Sequence, residues 1–279
     1  MEIQRKPGIK DVQSFFHKTS AIFAAIVIPI ELIVSILVYK YVMGDPSHFM
    51  GNNPANNPLT GDYLGMIYKG GITIPVLMTF FLVVITFFVE RLWTLRKARG
   101  ITNPLEFVSN LKEHVSSFSI IAAKKECDLQ QGSMANVIRA GLERYQELEK
   151  HKELDMDKKT LGLQKEFEEA TEMEMPILER NLVILSTIAS IATLTGLLGT
   201  VLGMVKAFAA LANAGAPDAI GLAKGISEAL MSTAMGICIS MLAILFYNYV
   251  TTRIDNIMHL TAETGQMIVR ALNYHPSDE

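Results

Sequence analysis

Two uncharged apolar runs joined by one short polar break constrain this chain more than any other feature. No residue from 182 to 205 is charged, and as a helix this run covers roughly 36 Å, more than the ~30 Å hydrocarbon core of a bilayer. The run 229–252 is as long and as free of charge. The break at 212–218 leaves room only for a tight turn, so the two runs are expected to be neighbouring antiparallel membrane helices. The whole chain fits this reading: it is 50% hydrophobic with a mean hydropathy of +0.29, as expected of a polytopic membrane protein rather than an ordinary soluble domain.

The polar residues of this hairpin are regularly placed. In the first run Ser186, Thr193 and Thr200 recur every seven residues, with Ala189, Gly196, Gly203 and Ala207 on the intermediate turns. In the second, Ala229, Thr233, Gly236, Ser240 and Ala243 draw a similar stripe. Lipid does not select such faces. Small residues let backbones approach, and hydroxyls bond across helices or line a polar passage, so the stripes read either as packing or as a pore lining. Counted from the break, Thr200 and Thr233 lie about 18 Å and about 22 Å along their helices, close to one level. Gly199–Gly203 and Gly221–Gly225 have the G-x-x-x-G spacing of closely packed helices.

The rest of the chain supplies two more spans and one soluble part. Residues 1–20 carry Arg5, Lys6, Lys10 and Lys18 and are expected to be cytoplasmic. The run 21–43 is longer than a signal-peptide core and holds Pro29 and Glu31, so it reads as a retained span. Glu31 is costly there unless partnered or wet, which makes it either a functional group or a carboxyl kept protonated or bonded to a neighbouring helix. Residues 44–71, rich in Gly, Pro and Asn, read as an outer loop with a short interfacial helix within 59–68. The span 72–92 ends on Glu90, Arg91, Arg96, Lys97 and Arg99, a basic flank that sets this end inside. Residues 93–180 read as a cytoplasmic helical domain, with 161–180 running on as helix into the span 181–211. A turn at 212–219, a span at 220–252 and a cytoplasmic tail at 253–279 complete an all-α membrane bundle with four spans and both termini inside.

Several chemistries have no candidate. The chain holds no G-x-x-x-x-G-K-[ST] loop, H-E-x-x-H or G-x-S-x-G motif, so neither nucleotide hydrolysis nor peptidase chemistry is expected and the chain reads as no enzyme. The formal net charge of −3 and the lack of a basic patch interleaved with aromatics set nucleic acid aside. Cys127 and Cys238 make no metal spacing and read as small buried residues.

The segment 172–208, E-M-E-M-P-I-L-E-R-N-L-V-I-L-S-T-I-A-S-I-A-T-L-T-G-L-L-G-T-V-L-G-M-V-K-A-F, resembles the ExbB/TolQ/MotA proton-channel family, and its ExbB branch in particular. Residues 225–248, 69–93 and 122–145 are similar to the family's last span, first span and cytoplasmic stretch, so the resemblance covers most of 69–251. It departs at Thr193 and Leu242, where the family often has proline, and the span 21–43 has no counterpart and is expected to pack outside the core bundle.

The resemblance implies an inner-membrane stator subunit of a Gram-negative cell, with 44–71 and 212–219 periplasmic. It implies a ring, typically a pentamer of this chain, around the single spans of an ExbD-like dimer bearing a transmembrane aspartate. Protons would be the coupling ion, with no other cofactor or metal. A TonB-like protein would carry the work to TonB-dependent outer-membrane transport. A TolQ-like or motility-linked stator and a non-conducting scaffold are the alternatives. Thr200, Thr233 and Glu228 match family residues of the proton path, which Thr193 and Ser240 would extend along the stripes, while Gly196, Gly199, Gly203 and Gly236 would pack the helices. Glu228 lies about 140° around its helix from Thr233, and Lys206 about 120° from Thr200. Off the hydroxyl stripe, the two are expected to form an interhelical or intersubunit ion pair, or else Glu228 is water-bound on the proton entry path.

Overall fold

The computed structural model describes residues 24–151, 153–212 and 218–273. The segment 1–20, residues 21–23 of the first expected span, 213–217 of the expected turn and 274–279 of the tail lie outside the described residues. Among the described residues every long element is a helix, and strand pairing is confined to a single bridge between Phe49 and Pro58. The helices are α1 (Ala24–Met43), α2 (Tyr63–Tyr68), α3 (Thr73–Ala98), α4 (Pro104–Ser116), α5 (Ile120–Gln130), α6 (Gly132–Lys150), α7 (Met156–Leu178), α8 (Leu182–Leu211) and α9 (Ala219–Asn273). Four of them, α1, α3, α8 and α9, are long and apolar enough to cross a membrane. The described residues fall into two compact units, one from 24–89 with 181–248, the other from 90–180 with 249–273.

The first unit holds the apolar helices. Its outward side chains are the residues lipid would solvate, such as Ile33, Val183, Leu194, Val205 and Leu245, all well exposed. Inside, Phe88 of α3 stacks on Phe246 of α9 with ring centroids 3.7 Å apart. The helix α1 turns one stripe inward, Ala24, Val27, Glu31, Ser35 and Val38, at the i, i+3, i+4 spacing of a helix that contacts its neighbours along a single seam.

Despite its Gly, Pro and Asn content, the loop between α1 and α3 is held by specific bonds. Tyr39 donates its hydroxyl to the Tyr68 carbonyl at 3.0 Å, and the two rings stack. Lys69 Nζ donates to the carbonyls of Pro54 (2.6 Å) and Ala55 (3.2 Å). The short helix expected within 59–68 begins only at Tyr63, because Asp62 caps it by accepting from the Gly65 amide at 3.0 Å. That bond and the His48 ring at 2.7 Å hold the Asp62 carboxyl below the usual carboxylate range.

The second unit is a helical bundle with its own core. Phe107, Leu111 and Val115 of α4 recur every fourth residue and pack into one cluster with Ala123 and Cys127 of α5, Ile138 and Leu142 of α6, Leu163 and Phe167 of α7, and Ile268 and Leu272 of α9. Gly141 is glycine because the Phe167 ring occupies the place its Cβ would take. At the α5–α6 junction buried Gln130 ties in the preceding loop, donating to the carbonyls of Arg99 (3.1 Å) and Thr102 (3.2 Å) and accepting from the Thr102 amide.

Two readings of the sequence need correction. The helix expected to run from 161 through 180 into the first hairpin span is two helices. It ends at Leu178, and Asn181, at φ 59, is left-handed, a conformation that cannot continue a right-handed helix and that Asn tolerates better than most residues. Arg91, one of the basic residues read as the inner flank of the span 72–92, is 1% exposed. It is tied to Glu90 and donates to the Leu178 carbonyl at 3.3 Å, one of the carbonyls left open by the end of α7.

The second correction concerns the cysteines, of which only Cys127 is buried in the chain while Cys238 is exposed. Burial pushes the Cys127 thiol up to about 12. At pH 8, where the nucleophilic thiolate is therefore scarce, Cys127 is expected to resist a maleimide in the folded protein and to react once the chain is denatured. Equal labelling in both states, read by peptide mass mapping, would contradict the packing of this core.

Candidate functional site

The hairpin helices α8 and α9 touch along a seam of small residues. From one end to the other the pairs are Ala189 with Ser240, Gly196 with Gly236, Thr200 with Thr233, Gly203 with Ala229 and Ala207 with Gly225, an antiparallel order. A Cβ on Gly203 would stand 2.7 Å from the Ala229 nitrogen and from the Gly225 carbonyl. One on Gly236 would stand 2.6 Å from the Ala192 carbonyl, and one on Gly196 3.0 Å from that of Ser232. Gly199 meets side chains of two helices, for its Cβ would overlap the Ser232 Cβ of α9 and stand 3.2 Å from Thr73 Oγ1 of α3. At Gly196, Gly203 and Gly236 backbone meets backbone, so each of these three glycines is a requirement of the approach.

In the middle of this seam the two threonines meet. Thr200 Oγ1 and Thr233 Oγ1 are hydrogen-bonded to each other, and both reach the Gly196 carbonyl, at 3.4 Å and 3.2 Å. Three contacts share two hydroxyl protons, because the carbonyl can only accept. Whichever threonine donates to the other, its partner donates to Gly196, and rotating two O–H bonds reverses the direction without moving a heavy atom. Each hydroxyl also keeps a lone pair for an outside donor. The pair can pass or receive a hydrogen bond but cannot ionise at physiological pH, so any acid that loads it must come from elsewhere.

The other stripe residues are not gathered here. Ser240 turns inward and donates to the Ala189 carbonyl, so within the chain it ties the helices together. Ser186 bonds back to the Val183 carbonyl of its own helix at 3.0 Å, and Thr193 is exposed. A seven-residue repeat drifts by about 20° per heptad on a straight helix, which carries the stripe out of the seam within two turns.

Lys206 and Glu228 meet as an ion pair within one chain, Nζ to Oε1 at 2.5 Å. Their environments are unequal, for the Lys206 side chain is 55% exposed and that of Glu228 11%. The carboxylate lies over Gly71, where a Cβ would overlap its Oε1, and Gly71 has φ +77. Removing Lys206 thus strands a buried carboxylate, whereas removing Glu228 leaves a lysine that water or headgroups can reach. Lys206→Met is expected to destabilise the protein more than Glu228→Gln, toward the lower end of the about 3–5 kcal/mol for breaking a buried pair. Gly71→Ala, which displaces the carboxylate, should resemble Lys206→Met. The double variant Lys206→Met/Glu228→Gln should recover most of the loss in thermal midpoint, and a Lys206→Met protein as stable as wild type would contradict this assignment.

A second hydroxyl cluster escaped the sequence reading. Ser232 Oγ and Thr73 Oγ1 lie 2.7 Å apart, and both reach the Gly70 carbonyl, at 2.9 Å and 3.2 Å. The signal was the i, i+4 series Glu228, Ser232, Gly236, a stripe about 100° from the one carrying Thr233. Glu31 was singled out, but its partner was not: Thr86 of α3 donates to Oε1 at 2.6 Å.

A family of known proteins matches this same region. The MotA/TolQ/ExbB proton channel family matches residues 130–263, a stretch that contains the threonine pair, the ion pair and the whole seam. The putative biopolymer transport protein ExbB-like 3 of Synechocystis sp. is 35% identical over 116 residues, 40% of this chain and 55% of that protein. The Tol-Pal system protein TolQ of Pseudomonas aeruginosa is 30% identical over 146 residues, 51% of this chain and 63% of its own length. A putative biopolymer transport protein ExbB homolog of Methanothermobacter thermautotrophicus is 27% identical over 203 residues, 70% of this chain and 65% of that protein. The chain spans between 55% and 65% of the length of these three relatives. With the seam lying wholly inside the matched stretch, the chain is similar to the MotA/TolQ/ExbB proton channel family over residues 130–263.

Proposed function

We propose that this chain is the multi-span subunit of a proton-driven stator in the inner membrane of a Gram-negative cell, of the ExbB kind. One observation carries the reading: a reversible hydroxyl pair sits in the seam between the uncharged runs of two spans, with no ionisable group bonded to it among the described residues. Such a pair can serve a proton step only if another chain brings the acid, and a single-span ExbD-like dimer with a transmembrane aspartate is the partner that fits. Several copies of this chain, five in the ring the family resemblance implies, would enclose that partner, with both termini cytoplasmic and the loop before α3 periplasmic. Protons are the coupling ion in this reading and no other cofactor is required. A membrane potential supplies roughly 2.3 kcal/mol per charge per 100 mV, enough to bias a conformational step. A TonB-like protein would pass the work to TonB-dependent outer-membrane transport.

The TolQ of Pseudomonas aeruginosa among the similar proteins favours a second reading, in which the same unit serves a Tol-Pal type system. Purification of the tagged chain from its native membrane distinguishes them. The expected result is a stable complex with a small single-span protein carrying a membrane-embedded aspartate, and the third protein, TonB-like or Tol-like, decides the process served. A homo-oligomer that retains no acidic single-span partner under conditions preserving the ring would leave only a non-conducting scaffold.

A further inference from the structure

The helix α1 lies outside the family-matched stretch and presents most of its surface outward: Ile26, Ile30, Ile33 and Leu37 are each about half exposed. Two residues break this pattern. Glu31 and Ser35, one turn apart on the inward stripe, are 9% and 0% exposed. Counted from the loop between α1 and α3, Glu31 lies about 18 Å down α1 and Thr86 about 20 Å down α3, so both are deep in the apolar layer and at one level.

The bonding at this place is incomplete. Glu31 Oε1 accepts from Thr86, while Glu31 Oε2 and Ser35 Oγ are buried without a partner among the described residues. Among the described residues no lysine, arginine or histidine is within ion-pair distance of Glu31, and Thr86, the group that bonds it from α3, does not titrate. An ionised carboxylate here would have one hydrogen bond and no counter-charge in a medium that strongly penalises both. A proton on Oε2 removes the charge and creates a donor one turn from Ser35, whose hydroxyl has acceptor capacity to spare. Thr86 can donate to the carbonyl oxygen of the neutral acid as well as to a carboxylate, the bond to the neutral acid being the weaker of the two.

We propose that Glu31 is a second protonation site within the membrane, a neutral carboxylic acid that seats α1 on α3 and is separate from the threonine pair of α8 and α9. The ligand is a proton, and losing it would leave α1 with a charge it could not keep buried. This assignment stands whether or not the chain conducts protons.

Infrared spectroscopy of the full chain in phosphatidylethanolamine–phosphatidylglycerol vesicles tests it. At neutral pH, the wild-type minus Glu31→Gln difference spectrum is expected to show the carbonyl stretch of a neutral carboxylic acid, shifted down in D2O. Carboxylate stretches alone would overturn the proposal. If Glu31→Gln fails to assemble, the wild-type protein decides the matter through dicyclohexylcarbodiimide. The carboxyl oxygen adds to the reagent's central carbon and the acid proton passes to a reagent nitrogen. An O-to-N acyl shift then leaves a stable adduct with no leaving group. An adduct on the Glu31 peptide, lost as the pH is raised, supports the site, and adducts confined to other carboxyls overturn it.

Discussion

Gly203→Leu is expected to abolish the pairing of α8 and α9, and with it any stable assembly of the chain. The atoms a Cβ would meet are the Ala229 nitrogen and the Gly225 carbonyl, each 2.7 Å away. Both belong to a helix backbone and cannot turn aside as a side-chain end would. The helices would have to separate, breaking the threonine contact one turn away and opening the approach at Gly196 and Gly236. The cost should exceed the about 1–3 kcal/mol typical of overpacked cores, because backbone rather than side chain must yield. Ser at the same position should cost less, and Leu at Thr193, which is exposed, should leave the fold intact. Thermal unfolding and size-exclusion profiles in detergent separate these cases. A Gly203→Leu protein with the wild-type thermal midpoint would mean that the seam is not packed as described.

Thr200→Val with Thr233→Val is expected to do the opposite, leaving the fold and stopping its work. The double change removes both hydroxyls of the pair at once, and replacing both partners of a hydrogen bond by apolar groups of the same shape is nearly neutral for stability. The Gly196 carbonyl is not stranded, since it lies within α8 and keeps its helix bond. What disappears is the reversible donor and acceptor between the two spans. Proton-driven activity should fall to background while thermal midpoint and oligomer size stay at wild-type values. Each single variant leaves one hydroxyl bonded to Gly196 and should retain part of the activity, so a double variant as active as wild type would remove the threonines from the proton path.

How much of this was legible in the sequence depended on what each feature needed. The spans were legible because a long uncharged run has few other uses. The meeting of Thr200 with Thr233 was legible because a short turn fixes the antiparallel register and a rise of 1.5 Å per residue then sets the levels. The same arithmetic left the Lys206–Glu228 pair as one reading beside a water-bound Glu228, and its inequality was not legible, since that depends on Gly71 offering a surface without a side chain. The Ser232–Thr73 cluster and the Glu31–Thr86 bond each join α3 to a helix remote from it in sequence, and no spacing within one helix reveals a partner on another. The break at Asn181 was hidden by good helical periodicity on both sides, with a single left-handed residue between them. That Arg91 caps the end of α7 was not legible, because a charge counted by the positive-inside rule is the same letter whether it faces water or the end of a helix.

Proton flux into liposomes tests the central claim most directly, with this chain reconstituted alone, with its co-purified partner, and with the partner but carrying both Thr→Val changes. The account predicts potential-driven acidification only for the wild-type complex. Flux from the chain alone equal to that of the complex, or undiminished flux from the double variant, would contradict it.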